Sequence, residues 1–305
     1  TSFSGMLVVD GFSTFFRLIV YGCGLLTVLM STDYFNRERG DESGEYYALI
    51  VFSLVGQSLM ASANELVLIF IGLEISSISG YIMAGYIRDD KRNNESALKY
   101  FLLGSFATAF MLYGVAWIYG LTGSTNLDAV RRAILGGAQD QSGSMLIIAT
   151  ILIFVGFAFK ISAAPFHIWA PDVYQGAPAP VAGFLSAGPK AAAFAMLIRV
   201  ACSAFYPLSD QWEPLFWATA LATMIIGNFA AIRQSNIKRM LAYSSIAHAG
   251  YILVAVTAQS EIGIAAVMFY LAAYTLMTMG VFAAVTLVAS KGERYVEIED
   301  FAGLM

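Results

Sequence analysis

Charge is what this sequence has least of: only 12% of its 305 residues are Asp, Glu, Lys or Arg, while 58% are apolar. A soluble domain needs about twice that share of charge to keep its surface wet, so the shortage excludes an ordinary water-soluble fold. Cysteine is nearly absent. Cys23 and Cys202 lie in apolar stretches without C-x-x-C spacing, which removes a zinc or iron–sulfur framework and argues against a structural disulfide; both read as core residues. Histidine is limited to His167 and His248, one of them near an interface, so the paired axial ligands of a membrane haem are missing. No G-x-G-x-x-G turn follows a strand, and no signal-peptide pattern opens the chain. The sequence starts at Thr1 without methionine and stops after FAGLM, so it is expected to be a piece of something longer.

What is present is a series of apolar runs, with a mean hydropathy of +0.69. Nine of them approach the length that a bilayer demands: about 11–30, 47–62, 65–87, 96–120, 145–169 (broken), 181–205, 214–232, 237–257 and 264–290. The net charge of −4 says little, because in a membrane protein the placement of Lys and Arg matters more. Threading the spans alternately puts Arg37, Arg39, Arg88, Lys91, Arg92, Lys99, Arg233, Lys238, Arg239, Lys291 and Arg294 on one side and only Arg131 and Arg132 on the other. That asymmetry makes the first side the cytoplasmic one, or the matrix or stroma in an organelle. The loop 121–144 is expected to hold a short amphipathic helix near Leu127–Leu135, and 167–180, with three prolines, reads as an irregular link.

Four ionisable residues fall near mid-span: Glu74, Lys160, Lys190 and His248. An unpaired cation there costs about 2.5–3.5 kcal/mol on insertion scales, so each needs a partner or a water path. Five residues after Lys160, Pro165 cannot bond the Ile161 carbonyl and opens the helix; Pro189 repeats the device immediately before Lys190. Unwound backbone at that depth survives only where it is packed in protein or lines a cavity. Glu74 is the natural partner of Lys160: a nearby carboxylate keeps the amine charged, and its withdrawal leaves desolvation to expel the proton. Lys190 and then His248 would be the next acceptors along the membrane plane. A static Glu74–Lys160 lock is the alternative, and His248 could instead be a core histidine bonded to Ser244 or Ser245. His167 and Asp172, beside the break, are candidates for the cytoplasmic entry, although His167 could simply cap a carbonyl. The stripe Gly72, Ser76, Gly80, Ala84 reads as a packing face. Residues 1–46 read as a flanking helix and loop, 47–205 as a first five-helix unit, and 214–305 as part of a second, inverted one.

FKISAAPFHIWAPDVYQGAPAPV, with ELVLIFIGLEISSISGYIM and NIKRMLAYSSIAHAGYILVA, resembles the N-subunit (subunit 2) family of NADH-quinone oxidoreductase, respiratory complex I. The resemblance covers nearly the whole chain, and DVYQGAPAPV separates this family from its two antiporter-like siblings, whose motif resembles PFHTWLPDAHTEAP. The homologous subunit of the NAD(P)H-plastoquinone complex is close, but Gln175 and the APAP run fit the respiratory bacterial form better. Multisubunit cation/proton antiporters share the fold and the lysine and glutamate helices.

The resemblance implies an all-α polytopic membrane protein with an antiporter-like fold, inverted five-helix repeats and a discontinuous helix. It matches Glu74 to the family's essential glutamate, Lys160 to the lysine of the broken helix, Lys190 to the bridging lysine and His248 to a polar residue of the central axis. This chain would begin at the family's third helix and end before the second broken one. It further implies a proton-translocating subunit without a cofactor of its own. NADH, FMN, iron–sulfur clusters and quinone belong to partner subunits, and the neighbours are other membrane-arm subunits and lipid, not nucleic acid. The expected location is the bacterial plasma membrane, with the Lys/Arg-rich loops in the cytoplasm.

Overall fold

Apolar segments that must satisfy every backbone group within themselves fold as helices, and polar caps at their ends set the boundaries here. The computed structural model describes residues 2–39 and 44–303. In chain order the helices are α1 (Gly11–Arg39), α2 (Gly44–Ser62), α3 (Leu66–Ala84), α4 (Lys91–Thr122), the short α5 (Leu127–Ala133), α6 (Gln139–Ile161), the short α7 (Trp169–Gly176), α8 (Ala179–Arg199), α9 (Ser209–Ile232), α10 (Ile237–Thr257) and α11 (Glu261–Val288). Glu65, Asp90, Asn236 and Ser260 cap α3, α4, α10 and α11 with side-chain oxygens that accept from the first-turn N–H groups.

Among the described residues nine long helices occupy the nine expected positions, and eight of them are long and apolar enough to cross a membrane. The ninth, α2, is diluted by Ser53, Gln57, Ser58 and Ser62, all of which it buries. The amphipathic helix expected near Leu127 is α5. Helix α1 continues to Arg39, nine residues past the expected end; part of the loop that follows, 40–43, lies outside the described residues. The stretch 167–180 is not an irregular link, because α7 occupies most of it. Pro171 falls in the first turn of α7, where the missing N–H has no intrahelical partner to lose, so it starts the helix rather than breaking it.

Helix α8 is the axis. Every residue from Ala179 to Ile198 is buried, and its many Ala and Gly residues let α1, α2, α3, α6, α10 and α11 pack around it. Two of the surrounding pairs meet backbone to backbone. A Cβ added at Gly56 of α2 would lie 2.5 Å from the Gly72 carbonyl oxygen and 2.6 Å from the Ser76 nitrogen of α3. One added at Gly227 of α9 would lie 2.6 Å from the Ala247 nitrogen of α10. The expected α3 stripe therefore divides: Gly72 and Ser76 meet α2, whereas Gly80 meets Leu185 of α8 and Tyr100 of α4.

The bundle has two distinct ends. At one, Gly292 N–H donates to Glu38 at 2.9 Å, the Arg92 guanidinium donates to the Gly292 carbonyl at 3.3 Å, and Lys238 pairs with Glu293 at 2.5 Å. Glu293 also accepts from Tyr34 Oη at 2.8 Å and from the Ala179 N–H at 2.7 Å, so one carboxylate ties α1, α8 and α10 together. Lys238, read from the sequence as a loop cation, is only 1% exposed. At the other end Arg199 pairs with Asp10 at 3.1 Å, and Asn64 donates to Asp128 at 3.0 Å.

Replacing Gly56 with Val should force α2 away from α3 and destabilise the bundle by about 1–3 kcal/mol, as overpacking does. A thermal melt in detergent would reveal it, and an unchanged melting temperature would contradict the backbone contact.

Candidate functional site

After Ile161 the chain leaves helical geometry. Ser162 takes a left-handed φ of 59°, Ala163 N–H reaches back to the Ala158 carbonyl at 2.8 Å, and the Ala164–Pro165 peptide bond is cis. In a continuous helix Ala164 N–H would bond the Lys160 carbonyl; here it donates to Thr223 Oγ1 of α9 at 2.9 Å. Trp169, the first residue of α7, donates its indole N–H to the Phe159 carbonyl at 3.0 Å and stacks on Tyr100 with ring centroids 4.4 Å apart. The interruption is thus satisfied and packed from two sides, as backbone at that depth must be.

Lys160 is 4% exposed and donates to Ser77 Oγ of α3 at 2.8 Å, with its amine 5.8 Å from the Tyr100 ring centroid. Glu74, one turn before Ser77, is half-buried, and its Oε1 is buried without a hydrogen-bond partner. Among the described residues no ion pair joins Glu74 to Lys160, so the direct pair expected from the sequence is replaced by a serine contact. The reason is register: Ser77, a turn further along α3, is the residue that faces the end of α6.

Lys190 follows Pro189 inside α8 and is 1% exposed. Its amine donates to the Ser245 carbonyl of α10 at 2.8 Å and also to Ser245 Oγ, which accepts from Tyr274 of α11 at 2.8 Å. His248, one turn beyond Ser245, bonds through Nδ1 to Tyr270 Oη at 2.6 Å, and its ring centroid lies 5.0 Å from that of Tyr274. His248 therefore pairs with a tyrosine rather than with Ser244 or Ser245.

A polar string that sequence reasoning missed joins α3 to α2. Ser76, adjacent to the Lys160 acceptor Ser77, has its Oγ 3.2 Å from Ser53 Oγ of α2, and Ser53 Oγ accepts from Gln57 Nε2 at 2.9 Å. Gln57 Oε1 is buried without a partner and lies 2.8 Å from where a Cβ on Gly188 would sit, two residues before Lys190. Gln57 carried a signal, being an amide in mid-run; the serines and tyrosines carried none. Further buried polar atoms without a hydrogen bond include Tyr174 Oη on α7 and Thr275 Oγ1 on α11. No hydrogen bond or ion pair joins any two of Glu74, Lys160, Lys190 and His248 among the described residues.

The two entry candidates differ. His167 is half-buried beside the break, and its Nδ1 is unpartnered. Asp172 on α7 is held at 2.6 Å by both Lys99 of α4 and Arg239 of α10. Partial burial pushes the Asp172 carboxyl up, but the hydrogen bonds from these two cations outweigh it and hold the group below the usual carboxylate range. Both cysteines are free, Cys23 buried and Cys202 partly so.

Comparison with known proteins agrees with this architecture. The sequence model of the family described as "NADH:quinone oxidoreductase/Mrp antiporter, TM" matches residues 63–305. The chain is 63% identical over 303 residues to NADH-quinone oxidoreductase subunit N 1 of Solibacter usitatus, covering 99% of this chain and 62% of that protein. A chain of respiratory complex I from Thermus thermophilus is 38% identical and superimposes with a TM-score of 0.79, covering 94% of this chain and 60% of that one. A chain of the Mrp complex from Dietzia sp. is similar in fold, with a TM-score of 0.82 at 22% identity, covering 93% of this chain and 52% of that one. The chain thus spans less than two thirds of the length of the relatives it matches.

The Asp172 contacts make a pH-dependent contribution whose sign follows from the lowered native value. The contribution is present in full above the unfolded carboxyl range, near pH 4, and is lost as pH falls through the depressed native value. Asp172→Asn should cost no more than about 1 kcal/mol at pH 7, because the carboxylate is a third exposed. Melts of the detergent-solubilised protein should show a gap between wild type and variant that is constant from pH 8 to about pH 5 and narrows below pH 4. A gap that widens on acidification would contradict the clasp.

Proposed function

This chain belongs to the NADH:quinone oxidoreductase/Mrp antiporter transmembrane family, and we propose that it moves protons across a membrane as an N-type component of an NADH-quinone oxidoreductase. The observation that carries this reading is the pair of buried lysines, Lys160 at the end of α6 just before the break at Pro165 and Lys190 beside Pro189 inside α8, each held by a serine, with Ser76, Ser53 and Gln57 joined on the neighbouring α2 and α3. Buried polar atoms left without partners, such as Glu74 Oε1 and Gln57 Oε1, are groups that elsewhere in proteins are hydrated or protonated. A proton enters from the cation-rich end, which faces the cytoplasm, with His167 near the point of entry. Glu74 swings toward or away from Lys160 and sets whether that amine holds its proton. The proton passes along water ordered by the hydroxyls and the Gln57 amide to Lys190, and then by Ser245 and Tyr274 to His248 and Tyr270.

The chain itself carries out no redox step on this reading. Hydride and electron transfer to quinone, with NADH, FMN and iron–sulfur clusters, take place in partner subunits and drive the movement of Glu74. The neighbours are a second antiporter-like subunit and small membrane subunits in a bacterial plasma membrane. Residues 47–205 form one five-helix unit, and 214–305 belong to a second, inverted one. The high identity to a subunit N sequence favours this assignment over an Mrp-type cation antiporter, whose likeness is one of fold.

In the assembled complex reconstituted in liposomes, Lys160→Ala should lower proton translocation at least tenfold while assembly persists, and Glu74→Gln should act in the same direction. Gln57→Leu, which keeps the packing but removes the amide, should reduce translocation several-fold. Arg88→Ala, at an exposed position, should leave it near the wild-type level. Unimpaired pumping by assembled Lys160→Ala would sink the relay, and exchange of Na+ by the chain without a peripheral arm would favour the antiporter.

A further inference from the structure

We propose that Thr223 is a positioning residue that couples the interrupted helix beside Lys160 to the turn of α10 that carries His248 and follows Ser245. The proposal deepens the proton-relay reading and rests on it for its functional meaning.

Thr223 is fully buried, on a helix whose Leu221, Ile225 and Phe229 are exposed on the membrane-facing side. Its hydroxyl proton goes to the Thr219 carbonyl at 2.6 Å, which turns a lone pair of Oγ1 toward Ala164 N–H, 2.9 Å away. That N–H has lost its helical acceptor, the carbonyl of Lys160 itself. A buried amide without a partner is costly, so the position of the break follows the position of Thr223.

Helix α9 is in turn fixed to α10 without intervening side chains. The Gly227 contact with Ala247 is joined by a second one, in which a Cβ on Gly250 would lie 2.9 Å from the Met224 nitrogen and 3.0 Å from the Ala220 carbonyl oxygen. Ala220, Met224 and Gly227 bracket Thr223 on α9. Ala247 and Gly250 bracket His248 on α10, immediately after the Ser245 that accepts from Lys190. Contacts made of backbone atoms leave little room for sliding, so the two helices shift together. A displacement of the break near Lys160 is thereby transmitted through Thr223 and α9 to the acceptor of the second lysine.

The test uses the whole complex in lipid nanodiscs, with hydrogen–deuterium exchange read on peptides that contain Ala164 and on those spanning 245–250. Thr223→Val, matched in shape but without the acceptor, should raise exchange in the Ala164 peptide about tenfold and lower the protons translocated per NADH oxidised several-fold. Thr223→Ser, which keeps the oxygen, should restore both. Lys160→Gln should alter exchange in the 245–250 peptides as well as near the break, and the distant change should vanish when Thr223→Val is added. The proposal is overturned if Thr223→Val pumps normally, if Thr223→Ser behaves like Thr223→Val, or if Lys160→Gln alters only the peptides near the break. Should Thr223→Val fail to assemble, the Lys160→Gln exchange experiment decides alone. If Lys160→Ala pumps normally, the relay fails, while the exchange data still judge the mechanical link on its own terms.

Discussion

An ammonium group at the depth of hydrocarbon has to be met by oxygen, and much of this bundle is arranged so that two of them are. Lys160 requires α3 to present Ser77, and Lys190 requires α10 to present Ser245. Each of these acceptor helices is backed by the helix that precedes it in the chain, through glycine contacts that leave no space for a side chain: Gly56 against α3, Gly227 against α10. Small residues perform the same task in both places, letting a hydroxyl-bearing helix pack closely against its neighbour. The pairs α2–α3 and α9–α10 are thus built alike at their contact. The ionisable residues Glu74 and His248 also take comparable places, each within a few residues of the glycine contact.

The lysines, the glutamate and the histidine were legible in the sequence because a charged or titratable group in an apolar run has few reasons to be there. The break after Lys160 was legible too, since Pro165 removes a donor wherever it stands. Their immediate partners were not. Ser77, Ser245, Tyr270 and Tyr274 belong to residue types common in any membrane helix, and which of them faces a lysine depends on the rotation of one helix against another. Ser77 rather than Glu74 accepts from the Lys160 amine for that reason, one turn along α3. The misreading of 167–180 had a different cause: prolines were counted without asking whether they fall in a first turn, where they favour a helix. Lys238 was assigned to a loop by its position, yet the loop after α11 folds over it and supplies Glu293.

The two ends of the bundle differ in kind. At the cation-rich end, carboxylates of α7 and the loop after α11 meet Lys99, Arg239, Lys238 and the first turn of α8, and Glu38 of α1 accepts from the Gly292 N–H, so several helices are tied by charge-assisted bonds. At the opposite end the described residues show one ion pair, Arg199–Asp10, together with amide contacts around Asn64 and Asn126 and a Gln259–Glu213 bond. The break beside Lys160 lies between these frames, held by one threonine, one indole and aromatic stacking.

The complete enclosure of α8 carries a consequence for biogenesis. In the finished bundle this segment has no lipid-facing surface, so until its neighbours pack around it the amine at position 190 lacks the Ser245 oxygens that meet it. Docking of α10 against α8 is the step that supplies them.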